Sequence, residues 1–219
     1  MDIADDISKY RVTRAPPDVY YIPNFISIEE EDEILKHVYG APKPKWTYLS
    51  NRRLQDYGGV PHKRGMISEE IPQWLQKYMD RINDLSVFDK KFPNQVLVNE
   101  YIPGQGIMPH TDGPLFHPIV TTISCGSHTI LNFLENNVQR DKICEFLLER
   151  RSLIIIKNDM YTKYLHSIDE TKFDVISDDT VNLEYCCGEY NTGETLERQT
   201  RISVTIRNVP KVLKVKITT

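Results

Sequence analysis

The sequence predicts a mostly β chain with flanking helices: a double-sheet jelly roll preceded by N-terminal helices and a lid. Three observations point there. The first 93 residues carry two helix signals, a capping box and an amphipathic stripe. From residue 94 the texture changes to short runs rich in Val, Ile, Leu and Thr separated by turn residues, as in antiparallel all-β folds. The 219 residues, 40% hydrophobic and 26% charged, suit one domain around one sizeable core. The expected plan is therefore a single domain, 1–219, with an extension, helices and lid over 1–93 and the jelly roll over 94–210.

Residues 1–20 read as extended, because Pro16-Pro17 blocks a helix. Ser27-Ile28-Glu29-Glu30 is a capping box; it opens a helix to about Val38 that Gly40 and Pro42 end. The acidic run 29–33 lies at the positive end of that helix's dipole and reads as a solvated helix start, not a metal site. Residues 41–66 lack periodicity and form a loop-rich or hairpin segment. A second helix is predicted from about Ser68, since Ile71, Trp74, Leu75, Tyr78, Met79, Ile82 and Leu85 share one face. Trp74 and Tyr78 are thereby core residues. Strands are predicted at 95–101, 119–125, 128–134, 144–149, 152–157 and 201–207, with Asn158-Asp159 as a turn after Leu153–Ile156. Residues 169–200 are polar and rich in Asp, Glu and Thr, and read as a long flexible insertion. Lys211, Lys214 and Lys216, alternating with Val212, Val215 and Ile217, make a basic terminal strand or loose end.

Bulk properties narrow the function. No apolar run approaches membrane-spanning length, and the acidic start MDIADDISKY lacks the apolar stretch of a secretory signal. Cys125, Cys144, Cys186 and Cys187 have no metal-finger spacing and read as reduced thiols of a cytoplasmic and nuclear protein. A monomer without a membrane partner is expected. The net charge of −4 does not announce a nucleic-acid binder.

The chemistry resides in His110-Thr111-Asp112 followed by a single His166. Two ligands separated by one residue, with a third far downstream, are the layout of a 2-His-1-carboxylate site. Such a site holds one face of Fe(II) and leaves the others open. The same pattern also fits a His and an Asp hydrogen-bonded at a strand end, and ligand type alone does not exclude Zn or Mn. His117 and His128 flank this region and read as hydrogen-bonded structural residues. Side chains two apart on a strand share a face, so Leu97, Asn99 and Tyr101 align, as do Arg201, Ser203, Thr205 and Arg207. A 2-oxoglutarate molecule that chelates iron by its keto-acid end needs a fixed cation for its distal carboxylate. The planar fork of Arg201 suits that task, with the Tyr101 hydroxyl as a second donor.

Asn99-x-Tyr101-x-x-Gly104, His110-x-Asp112, His166 and Arg201-x5-Arg207, in this order, resemble the AlkB family of Fe(II)/2-oxoglutarate-dependent dioxygenases. Gly113-Pro114-Leu115, Ser124 to Thr129, Met160 to His166 and Arg52-Arg53-Leu54-Gln55 are most similar to the sixth eukaryotic branch of that family. The resemblance implies a double-stranded β-helix with an N-terminal lid, Fe(II) on His110, Asp112 and His166, and 2-oxoglutarate on Asn99, Tyr101 and Arg201. It further implies that Arg207 closes the same pocket, aiding the cosubstrate or the reaction, with O2 as co-reactant. Ser203 stands where some members carry Asn. In the DNA-repair members an acid two positions past the metal-binding Asp reads the base; here that position is Pro114, so base recognition by that route is absent.

Residues 43–64 hold six Lys or Arg and one acid, with Trp46, Tyr48 and Tyr57 interleaved. Cations with aromatic platforms suit single-stranded DNA or RNA through phosphate contacts and base stacking. Trp46, Tyr48, Arg52, Arg53 and Tyr57 are the candidate substrate contacts. The alternative is a lid whose aromatics cover the barrel mouth. The expected activity is oxidative demethylation of an N-alkylated nucleic acid. A protein-directed hydroxylase or demethylase, and a nucleic-acid binder with little catalysis, remain open.

Overall fold

The structure, a computed structural model, describes residues 7–213. A 3-10 turn, Ile7–Tyr10, precedes β1 (Val19–Ile22) and α1 (Ile28–Gly40). The Ser27 hydroxyl accepts from the Glu30 N–H while the Glu30 carboxylate accepts from the Ser27 N–H, which completes the capping box. The segment without periodicity is a hairpin, β2 (Thr47–Leu49) and β3 (Arg52–Tyr57), followed by the short β4 (Met66–Ile67). α2 spans Gln73–Asp84, later than the expected start at Ser68, because Pro72 serves as its N-cap and holds the preceding residue out of helix. Its face of Leu75, Tyr78, Met79 and Ile82 is buried as the spacing requires.

The remaining strands are β5 (Gln95–Tyr101), β6 (Ile107–His110), β7 (Ile119–Cys125), β8 (Thr129–Leu134), β9 (Lys142–Leu148), β10 (Leu153–Lys157), β11 (Leu165–Ile168), β12 (Phe173–Val175), β13 (Thr195–Glu197), β14 (Arg201–Arg207) and β15 (Val212–Leu213). A five-residue helix α3 (Asn158–Thr162) starts at the predicted turn, where Asn158 adopts φ 50°. Seven strands form one sheet in the order β1-β10-β7-β14-β5-β3-β2, and four form a second in the order β6-β11-β8-β9. Every pairing within these two sheets is antiparallel. This is the jelly roll the sequence predicts.

The large sheet has two different faces. Ile202, Val204 and Ile206 of β14 pack with Val96 and Val98 of β5 against Ile34 and Val38 of α1 and Leu75 and Tyr78 of α2. The opposite faces carry Arg201, Ser203, Thr205 and Arg207 on β14 and Leu97, Asn99 and Tyr101 on β5, and look into the space between the sheets. A second apolar cluster, including Phe133, Phe146, Leu148, Ile154 and Ile156, closes the rest of that interior.

Three sequence expectations change. The acidic run 29–33 is not uniformly solvated: Glu31 is fully buried, bonded by Arg150 at 2.8 and 3.2 Å, by Arg151 at 3.3 Å and by the Gly126 N–H at 2.8 Å. Residues 169–200, expected as a flexible insertion, are built into the fold. β12 and β13 pair, buried Asn182 bridges both backbone groups of Leu147, and Arg198 forks onto Asp174 at 2.6 and 2.7 Å. The expected boundary at 93/94 is crossed by hydrogen bonds, since β1, β2 and β3 are strands of the large sheet. Val212 and Leu213 pair in parallel with β4, whereas Lys214, Val215, Lys216 and Ile217 lie outside the described residues. Among the described residues all four cysteines are free, and no helix is long and apolar enough to cross a membrane.

Candidate active site

Strand pairing brings the triad together. His110 ends β6 and His166 lies on β11, directly opposite it in the ladder, with ring centroids 4.3 Å apart. Asp112 follows on the loop after β6. Its Oδ1 lies 3.9 Å from the Nε2 of both histidines, and one ligand atom from each residue lies within 4.8 Å of the others. Among the described residues this is the one such grouping of His, Cys, Asp and Glu.

The donor set fits a divalent metal ion. The Met108 carbonyl lies 2.8 Å from His110 Nδ1, which favours a proton there and leaves the Nε2 lone pair facing Asp112. Burial pushes His166 down to about 4, so its ring is neutral and able to ligate at physiological pH. Burial alone would raise the Asp112 carboxyl, but the charge of Arg207 and the two histidines outweigh it and hold the group below its usual value. Arg207 Nη1 sits 3.3 Å from Asp112 Oδ2, its Nε donates to Gln95 at 3.1 Å, and its guanidinium lies 4.0 Å over the Phe116 ring.

A cavity of about 260 Å³ runs from this triad along the polar face of the large sheet. At its far end Arg201 and Tyr101 stand opposite each other on β14 and β5, and Ser203 pairs with Asn99 one step along. Arg201 is buried, and one Nη donates to Ser124 Oγ at 2.9 Å, but its Nε has no hydrogen-bond partner. Burial pushes its pKa down to about 10. A buried guanidinium that lines a cavity with one N–H left unpartnered is a receptor for an anion. The Tyr101 ring lies 5.9 Å from its guanidinium.

The candidate substrate residues separate onto two faces of β3. Arg52 lines the cavity and donates from Nε to Asn99 Oδ1 at 3.1 Å. Arg53 points to the helix side, where it forks onto buried Glu100 at 2.6 and 2.8 Å and stacks 4.0 Å from the Trp46 ring. Trp46 and Tyr57 belong to the helix-side core. Arg53, Trp46 and Tyr57 are therefore corrected from substrate contacts to the clamp that holds the hairpin. Tyr48 stays two-thirds exposed, at 67%, on the hairpin edge.

His117 and His128 are in contact with Asp89 and Asp174 respectively, each at 3.4 Å, and neither joins the triad. The Glu31 clamp and the Asp174–Arg198 pair escaped the sequence reading. Glu31 does carry a signal, since it lies on the helix face of Ile34 and Val38.

The fold and site define a class, and comparison agrees: residues 43–207 match the model of the 2OG-Fe(II) oxygenase superfamily. Within that class the chain belongs to the AlkB family of Fe(II)/2-oxoglutarate-dependent dioxygenases. It is 49% identical over 222 residues to the probable RNA/DNA demethylase ALKBH6 of Danio rerio, covering 97% of this chain and 94% of the relative. It is 28% identical to the tRNA (carboxymethyluridine(34)-5-O)-methyltransferase alkbh8 of Xenopus tropicalis, over 89% of this chain but 32% of that longer protein. The structure of OsALKBH1 superposes with a TM-score of 0.60 at 13% identity, covering 88% of this chain and 97% of that one, and shares the fold. The enzyme is thus a dioxygenase that uses Fe(II), 2-oxoglutarate and O2.

Proposed function

We propose that this enzyme removes N-alkyl groups from nucleic acid by oxidising the attached carbon. The observation that carries this is a cavity with the His110–Asp112–His166 triad at one end and, at the other, the buried Arg201 guanidinium, whose Nε has no hydrogen-bond partner. His110, Asp112 and His166 would hold Fe(II); Arg201, Tyr101 and Asn99 would hold 2-oxoglutarate. Once bound, the iron, 2-oxoglutarate and O2 supply hydroxylation of a C–H bond, with succinate and CO2 as by-products and, from an N-methyl group, formaldehyde and the free amine.

The chain's own residues position and shield this chemistry. Arg201 fixes the distal carboxylate by its planar fork in a place from which water is excluded. Arg207 neutralises and orients the Asp112 oxygen that faces it. Asn99 is itself held by Arg52, which links the hairpin to the cosubstrate end. Leu131, Leu148, Ile154 and Ile156 make the remaining wall apolar, so charged groups there face few competing waters. Ser203 lines the floor beside Asn99 and keeps that row small.

Nucleic acid as the substrate is supported by the name of the Danio rerio relative and by the exposed cations Lys43, Lys63 and Arg64 around the hairpin and its following loop. The free cysteines support residence in cytoplasm and nucleus, and a monomer is the working state. Imaging of a fluorescent fusion and sedimentation check these two. The decisive assay follows succinate and formaldehyde from methylated single-stranded DNA, RNA and histone peptides. Release from a nucleic acid that disappears in His110→Ala supports the reading. Release from peptides alone, or no 2-oxoglutarate binding by calorimetry with Mn(II), sinks it.

A further inference from the structure

Residues directly opposite one another in the large sheet form transverse rows across the cavity floor. One row reads Asp56, Leu97, Thr205, Thr122 and Ile154. The last four line the cavity; Asp56, opposite Leu97 and on the same face of β3 as the cavity-lining Arg52, ends the row just outside that lining. The next row holds Gln95, Arg207, Val120 and Ile156, and its Arg207 is the residue that reaches Asp112. Gln95 joins the two rows: its Oε1 accepts from Arg207 at 3.1 Å, and its Nε2 stands 3.5 Å from Asp56 Oδ1.

Asp56 is an acceptor with little to accept. The neighbours Gln55 and Tyr57 are buried on the helix side, while Asp56 remains part-exposed on the cavity side. Its side-chain hydrogen bond from Gln95 lies at the outer limit of such contacts, whereas a carboxylate offers about four acceptor sites. Burial raises its pKa, opposed only by the longer-range charges of Arg207 and Lys45. We propose that Asp56 selects the substrate, accepting a hydrogen bond at the cavity rim from the N–H edge of a cationic N-alkylated ring. This rests on the nucleic-acid reading above. An acid at this rim repels phosphate, so Asp56 faces the inserted ring, and Arg52 and the exposed lysines face the backbone.

Fluorescence anisotropy of the full chain with Mn(II) and 2-oxoglutarate tests the assignment. The probes are short labelled single strands carrying one 1-methyladenine, cationic with an amino N–H, or one 3-methylthymine, neutral and without an N–H on that edge. We expect a preference for 1-methyladenine of about 10-fold or more, the size of one hydrogen bond to a charged group. It should fall in Asp56→Asn, whose amide oxygen still accepts but carries no charge, vanish in Asp56→Ala, persist in Asp56→Glu, and leave 2-oxoglutarate affinity unchanged in all three. A parent without the preference, or an Ala variant that keeps it, overturns the assignment. Loss of 2-oxoglutarate binding in Asp56→Asn also overturns it, because the residue then serves the cosubstrate site or folding. Formaldehyde release by the parent is scored separately: its absence on every probe counts against demethylation, while the anisotropy still decides what Asp56 reads.

Discussion

At the scale of single residues, the active-site reading rests on atoms whose bonding capacity the protein leaves open. Arg201 Nε is one, and the consequence is specific. Arg201→Lys keeps a charge but loses the fork, and its expected effect is a rise in KM for 2-oxoglutarate of about 10- to 100-fold, the size of a charged hydrogen bond. Titrating 2-oxoglutarate against succinate formation measures it; an unchanged KM would place the distal carboxylate elsewhere. Arg207→Ala should act differently, because Arg207 already pairs with Asp112. It frees the Asp112 carboxyl to rise toward its usual value, so calorimetry should show weaker Mn(II) binding that is lost at a higher pH than in the parent. The His-x-Asp pair was legible because two ligands sit almost adjacent in sequence, and His166, Arg201 and Arg207 followed from their order. The placement of the rest was not legible. Whether Arg53 faces the cavity or the helices depends on the register of β3 against β5, which places Arg53 opposite Glu100.

At the scale of elements, the helices are fastened to the sheet by charge as well as by apolar packing. Glu31 accepts four hydrogen bonds from the turns after β7 and β9. Burial alone would raise its pKa, but Arg150, Gly126 and Arg151 hold it below the usual 4.5. This contribution to stability is complete above that value and is lost as pH falls through the lower folded-state value. Glu31→Gln should cost about 1–3 kcal/mol in urea unfolding at pH 7, discounted for the part-exposed arginines, and should flatten the acid limb of the stability profile. An identical acid limb would assign the effect to packing instead. The predicted strands of the second half matched closely because they are runs of five to seven residues rich in β-branched and apolar side chains, bounded by turn residues. β1, β6 and β11 were missed because each has four residues, too few to display a period.

At the scale of the whole molecule, the segment 169–200 tests how far composition can mislead. It is polar, yet it holds Asp174, Asn182 and Arg198 buried against the barrel. Polarity marked it as loose only because sequence does not display which polar groups find partners. Arg198→Ala leaves Asp174 buried with His128 as its remaining ion-pair contact, and should destabilise by about 3–5 kcal/mol. Limited proteolysis should then cut within 169–200 under conditions where the parent resists. Equal resistance would show that the ion pair does not hold the segment.

The order of the large sheet has a consequence for how the chain can be handled. Both of its borders, β1 on one side and the β2–β3 hairpin on the other, come from the first 60 residues. A chain beginning at residue 94 would retain every residue of the triad and of the 2-oxoglutarate end, yet it would present β10 and β5 as raw, flat borders with unpaired backbone groups. Such borders pair with one another between molecules. The segment before residue 94 is thus a hem as much as a lid: it stops the sheet from growing, and a trimmed catalytic core is expected to precipitate before it can be assayed.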